Sequence, residues 1–226
     1  MTFITWLIAL AFSAVVQTAP TATPQRFDYL VRADFFAGAA GDDARLAKVI
    51  ALTERTLAEN PRHAEAMVWH GASLLVRAGR AFQNGDFAAG GPLVQQGLKE
   101  MSDAVALAPD NPGVLIPRAA VLLEATRTMP PETARPLIES AVKNYERALD
   151  IQAPKFNALG DHAKGELLFG LAEGWSRLGE PDKARQYFTR LIADAPTSGQ
   201  APKAQVWLST GTVPKSEGFS CVGCHK

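Results

Sequence analysis

Cysteine is almost missing from this chain of 226 residues: there are two, Cys221 and Cys224, both close to the C-terminus. No disulfide framework can staple the fold, so a packed apolar core must hold it. An excess of charge is missing as well, since 23 Lys and Arg balance 23 Asp and Glu. That balance argues against a general nucleic-acid binder, which needs a basic face, and against a long tail of one sign. No Gly-rich phosphate loop, G-x-S-x-G elbow or H-E-x-x-H pair occurs. The stretch GDFAAGG at Gly85–Gly91 lacks the Lys-Ser/Thr ending and follows no strand, so it is expected to be a loop. Asp42, Asp43, Glu166 and Glu173 read as helix N-terminal charge and solvated faces. A hydrolase or transferase is therefore not expected, and the chain is read as a non-enzyme.

A long membrane-spanning run is also lacking. Phe3–Val16 is apolar except for Thr5 and Ser13, but its 14 residues fall short of the roughly 20 that a spanning helix needs. The run suits the apolar part of a secretory signal peptide, with small residues near Ala19 and a Pro/Thr spacer after it. Residues 1–19 are thus read as a signal peptide or retained N-terminal anchor, and 20–26 as a linker. The expected location is outside the cytoplasm, in a bacterial periplasm, with membrane contact only through an uncleaved N-terminus.

What the chain has in quantity, from Phe27 to Leu208, is Ala, Leu, Glu and Arg without alternating β-branched runs, which favours helices. Prolines punctuate it evenly. Pro61, Pro109, Pro154 and Pro196 each follow a helical pattern and open another, with spacings of 48, 45 and 42 residues. Asn111-Pro112 has the form of an N-cap followed by proline at the first helical position. Two helices per period indicate an all-α chain built as an α-solenoid of antiparallel pairs over residues 27–208.

The residues in these units resemble the tetratricopeptide repeat. Between Gly165 and Ser198, Leu168, Leu171, Ala172, Trp175, Ala184, Phe188 and Pro196 fall in the family's spacing. The unit Ala64–Asn111 keeps Gly71, Ala104 and Pro109, and the unit from Pro112 to Pro154 keeps Ala119, Ala141, Tyr145 and Ala148. Both exceed the family's length of roughly 34 residues, around Gln83–Gly91 and Thr126–Glu132, which calls for longer helices or larger loops. The resemblance implies that small residues at Gly71, Ala119 and Ala172 let paired helices approach closely, while Tyr145 and Phe188 fill the space between pairs. It also implies a leading pair near Phe27–Ala37 and Asp42–Glu59, and a capping helix at Ala201–Leu208.

By the family's pattern the first helix of each pair lines a groove. Register carries this onto Val68, Ala72, Leu75 and Val76, then Ile116, Ala120, Leu123 and Glu124, then Phe169, Glu173 and Arg177. This set is mostly apolar, so the expected guest is an extended apolar segment or a helix of a protein partner rather than an acidic tail. Packing of these residues on one another is the alternative. Pro117 lies inside its helix and is expected to bend it.

The last residues, Ser220-Cys221-Val222-Gly223-Cys224-His225-Lys226, carry the only chemical motif. C-x-x-C-H resembles the haem-attachment site of c-type cytochromes. The resemblance implies thioethers from Cys221 and Cys224 to one haem c, with His225 as the proximal iron ligand and a redox partner for the protein. Export and haem attachment belong to the same side of a bacterial membrane, so signal peptide and motif support each other. A disulfide or redox pair, and a metal site, are the alternatives for the cysteines. Candidate ligands for the sixth iron position are His63, His70, His162, Met67 and Met101. Of these, His70 reads rather as a core histidine and the methionines as packing residues, while His63 and His162 read equally as solvated. Residues 209–226 are expected to form a short flexible tail.

Overall fold

The computed structural model describes residues 26–212. The signal-peptide segment and the C-x-x-C-H motif, with Cys221, Cys224 and His225, lie outside these residues. Among the described residues the chain is all-helical, with no strand and no helix long and apolar enough to cross a membrane.

Helices α1 (Phe27–Ala39) and α2 (Asp43–Glu59) form a first pair. They are followed by α3 (Ala64–Gln83) with α4 (Phe87–Leu107), α5 (Pro112–Ala125) with α6 (Pro131–Gln152), and α7 (Asp161–Arg177) with α8 (Pro181–Asp194). A ninth helix, α9 (Ala201–Thr210), packs on α8. Successive first helices also touch, α1 on α3, α3 on α5 and α5 on α7, so they form one continuous layer.

The boundaries follow local chemistry. Asp42, Asp86 and Asn111 accept hydrogen bonds from the backbone N–H of Arg45, Ala89 and Gly113 at 3.0, 2.9 and 2.8 Å, closing otherwise open helix N-termini. Asp86 thereby starts α4 at Phe87, so most of the stretch expected as a loop is the first turn of a helix. No strand is needed to start a helix there; the aspartate cap is enough. The residues in excess of the repeat length are absorbed in the same way, as longer helices α3, α4 and α6 and a 3-10 turn at Thr126–Thr128. Gly85 and Gly179, at φ 76° and 83°, turn the chain inside the α3–α4 and α7–α8 pairs, where a residue with Cβ would be strained.

Pro92, Pro117 and Pro136 each stand sixth in their helices, and all three helices continue past them. Proline offers no N–H to the carbonyl four residues back, so the Gly113 carbonyl in α5 lacks its usual intrahelical donor.

The core is a single run of buried apolar residues along the layer of pairs. Phe35 meets the Trp69 ring edge-on at 5.0 Å near one end. Phe188 lies between Phe169 at 5.7 Å and Trp207 at 4.8 Å near the other. Gly71, Ala119 and Ala172 are all buried at helix contacts.

Candidate functional site

A groove of about 700 Å³ runs along the layer of first helices. It falls in the size class that encloses one cofactor-sized molecule or a short peptide segment, about 300–1,000 Å³. α1 contributes Tyr29, Arg32 and Phe36, spaced as one helix face, and α3 contributes Glu65 and Trp69. α5 supplies Ile116, Ala120, Leu123 and Glu124, and α7 supplies Glu166, Phe169 and Glu173. Tyr145 of α6 and Lys203 of α9 also reach it.

Six of the positions assigned by register therefore border the groove: Ile116, Ala120, Leu123, Glu124, Phe169 and Glu173. The α3 assignments need correction. Val68 and Ala72 are fully buried, and Leu75 packs against α4, where its Cδ2 lies 3.2 Å from the point a Gly97 Cβ would occupy. Val76 is half-buried and does not line the groove. The physical reason is helix geometry. Val68 and Leu75 stand three before and four after Gly71, so all three share the face that meets α4. The groove face of α3 is instead marked by Glu65 and Trp69. That signal was present in the spacing, once Gly71 is placed in the contact with α4.

Arg177 points elsewhere than expected. Its guanidinium donates to the Leu123 carbonyl at 2.6 Å and to Thr126 Oγ1 at 2.8 Å, a cation at the carboxyl end of α5. It anchors α7 to α5 beside the groove.

The two ends of the groove are polar and internally paired. At one, Arg26 holds Asp28 through Nε–Oδ1 at 3.0 Å and Nη2–Oδ2 at 2.9 Å, and the Arg26 and Arg32 guanidiniums lie 5.0 and 5.3 Å from the Tyr29 ring. Near it, the Asn111 side-chain amide that caps α5 also donates to Glu65 Oε1 at 3.0 Å, tying α5 to α3.

At the other end Arg127 donates to Glu124 Oε2 at 2.7 Å and faces Glu173 Oε1 at 2.7 Å, with Arg177 3.8 Å from the same oxygen. Glu173 is only 3% exposed, not on the solvated face its spacing suggested. Burial pushes its carboxyl above the usual range, against the pull of Arg127 and Arg177. Burial likewise lowers the Arg177 pKa.

The histidines separate by location. His63 caps α3, its Nδ1 accepting the Ala66 N–H at 3.1 Å, and its ring lies 4.8 Å from that of Phe27 at a tilt of 50°. His70 is buried between α2 and α4, with Nδ1 2.6 Å from Glu100 Oε2 and Nε2 3.8 Å from Glu54 Oε1. His162, at the start of α7, borders the groove. Met101 is fully buried and Met67 is partly buried against the core. No group of three or more His, Cys, Asp or Glu that could hold a metal ion occurs among the described residues. Neither a family model nor a curated protein matches this sequence.

Proposed function

We propose that this chain is an exported helical scaffold, a tetratricopeptide-like solenoid whose groove receives an apolar segment, and that its C-terminal motif carries one covalent haem. Together these make it an electron-transfer or redox-docking component rather than a hydrolase or transferase. The observation that carries the scaffold reading is the groove itself. Four first helices supply an apolar centre, with Phe36, Trp69, Ile116, Leu123 and Phe169, beside two clusters whose charges pair within the chain. Such a surface suits an apolar or helical guest.

The haem reading rests on Cys221, Cys224 and His225 at the spacing of a c-type attachment site, together with the export segment. Each thiol would add its S–H across one vinyl double bond, sulfur to one carbon and hydrogen to the other, so attachment would consume no electrons once both cysteines are reduced. Two thioethers would fix the ring to the chain, and His225 would supply an imidazole nitrogen to the iron. The bound haem supplies one-electron exchange at its iron.

Expression of the full chain with cytochrome-maturation factors tests this. The protein should carry haem that survives denaturation and show a sharp band on reduction. The Cys221→Ser/Cys224→Ser variant should be colourless with an unchanged helical circular dichroism spectrum, because the described residues from Phe27 to Leu208 already pack a continuous apolar core. A colourless wild-type protein would leave a scaffold without haem, its cysteines a redox pair or metal ligands. A double variant that unfolds would make the cysteines structural.

A further inference from the structure

The wall of the groove leaves some of its own polar groups unanswered, and these decide the form of the guest. We propose that the groove binds a segment of a partner protein in extended form, bonding its main chain and holding one acidic side chain at Lys155 and Lys203. This rests on the scaffold reading above and narrows the guest from any apolar or helical segment to an extended one.

The first observation is a set of buried polar atoms with no hydrogen-bond partner. Trp69 Nε1 on α3, Gln152 Nε2 at the end of α6 and Gln200 Oε1 just before α9 each belong to a residue that borders the groove. Trp69 and Gln200 are only 3% and 4% exposed. Folded chains pair nearly all such groups, because one left buried and unpaired costs about 1–3 kcal/mol. Gln200 donates its Nε2 to Glu166 Oε1 at 2.8 Å, which fixes the amide and leaves Oε1 as an acceptor. A further acceptor is the Gly113 carbonyl, deprived of its usual donor by Pro117, and both residues border the groove.

Two donors and two acceptors call for a guest that carries both kinds of group. The main chain of an extended segment offers an N–H and a C=O at every residue but proline. An apolar helix keeps those groups for its own bonds, and a hydrocarbon chain has none, so either would seal the wall's groups unpaired. Pairing requires the Trp69 and Gln152 side chains to turn, because both nitrogens are shielded from solvent as the chain stands. Alternate side chains of an extended segment point to one side, where Ile116, Leu123 and Phe169 meet them.

Charge assigns the acidic side chain. Arg26 and Arg32 share Asp28, and Arg127 is held by Glu124 and Glu173. Glu65 and Glu166 accept the side-chain amides of Asn111 and Gln200. Lys155 and Lys203 border the same groove and form no ion pair among the described residues, the Lys203 ammonium lying 5.6 Å from the Phe169 ring. That leaves two ammonium groups to meet a carboxylate of the guest.

The test uses the full chain, expressed with cytochrome-maturation factors, and a displayed library of short random peptides. Selection should enrich apolar peptides with one Asp or Glu, and methylation of their backbone nitrogens should abolish binding. The Trp69 indole N–H resonance should move downfield in the complex. Gln152→Leu, nearly equal in volume, should weaken binding about threefold to tenfold, the worth of one net hydrogen bond, without lowering the urea midpoint. A merely structural Gln152 would move the midpoint instead. The Lys155→Met/Lys203→Met variant should lose both the preference for the acid and the salt dependence of binding. Peptides that gain helix on binding, that tolerate N-methylation and Gln152→Leu, or that keep the acid preference in the lysine variant would overturn this inference alone. No enrichment, or equal enrichment on Ala120→Trp, whose indole fills the groove, would refute the scaffold reading itself.

Discussion

In the α3–α4 pair two glycines meet backbone to backbone, whereas in α7 three glycines receive side chains from neighbouring elements. A Cβ on Gly71 would lie 2.7 Å from the Gly97 carbonyl oxygen, and one on Gly97 would lie 2.7 Å from the Gly71 carbonyl. On α7, Gly170 accepts the Tyr145 ring, whose Cζ would be 2.3 Å from an added Cβ, and Gly174 accepts Val142 Cγ2 at 2.4 Å. Gly165 accepts the Ser198 hydroxyl. The same residue type thus does two jobs. In the α3–α4 pair it sets how near two helix axes come. In α7 it makes sockets that fix α6 and the turn before α9 against the groove wall. A backbone cannot yield without moving a whole helix, while a side chain can rotate.

Gly71→Val should give the largest effect. It must push α3 from α4, and overpacking of this kind costs about 3 kcal/mol. The readout is the urea midpoint of the full chain. Gly170→Ala should cost less, about 1 kcal/mol net, because the Tyr145 ring can shift and alanine regains about 1 kcal/mol of helix propensity. If the two variants lose equal stability, the distinction between backbone and side-chain contacts is wrong. Gly170→Ala should in addition change fluorescence or ligand binding in the groove, since Tyr145 borders it, and Gly71→Val should do so only through unfolding.

The smallest effect is expected at Glu173, next to Gly174 on the same helix. Burial holds its carboxyl above the usual range, so between the ordinary value and the raised one the folded chain keeps a proton that the unfolded chain has released. Stability therefore falls as pH rises through that window. Glu173→Gln should flatten the slope of urea midpoint against pH there. At neutral pH, relief of the buried charge is offset by the partner lost from Arg127. An unchanged slope would mean that the carboxyl titrates as an exposed one.

Much of the site was legible from spacing within single helices. Ile116, Ala120, Leu123 and Glu124 follow one face of α5, and Phe169 with Glu173 follow one face of α7, and these border the groove. In α3 the same procedure chose the face that meets α4, because Val68, Ala72 and Leu75 are as apolar as a groove residue would be. Hydrophobicity alone does not say which neighbour an apolar face meets. Tyr29, Phe36 and Tyr145 were not singled out for the groove, since α1 belongs to an incomplete leading pair and Tyr145 to a second helix. Arg177 shows a different limit: it was assigned to the groove, but its guanidinium is drawn to the open carbonyls at the end of α5 and it does not line the groove.

The sequence by itself determined where helices begin and stop. Asp42, Asp86 and Asn111 cap them, prolines open them, and Gly85 and Gly179 turn them, all through interactions within a few residues along the chain. It also held Cys221, Cys224 and His225 at a spacing with chemical meaning. Only the tertiary structure decided that Glu173 is buried beside Arg127, that Asn111 bonds Glu65 across 46 positions, and that His162 rather than His63 or His70 borders the groove. These depend on how one helix is rotated against the next, and that rotation is set by contacts between residues far apart in the chain, which local spacing does not encode.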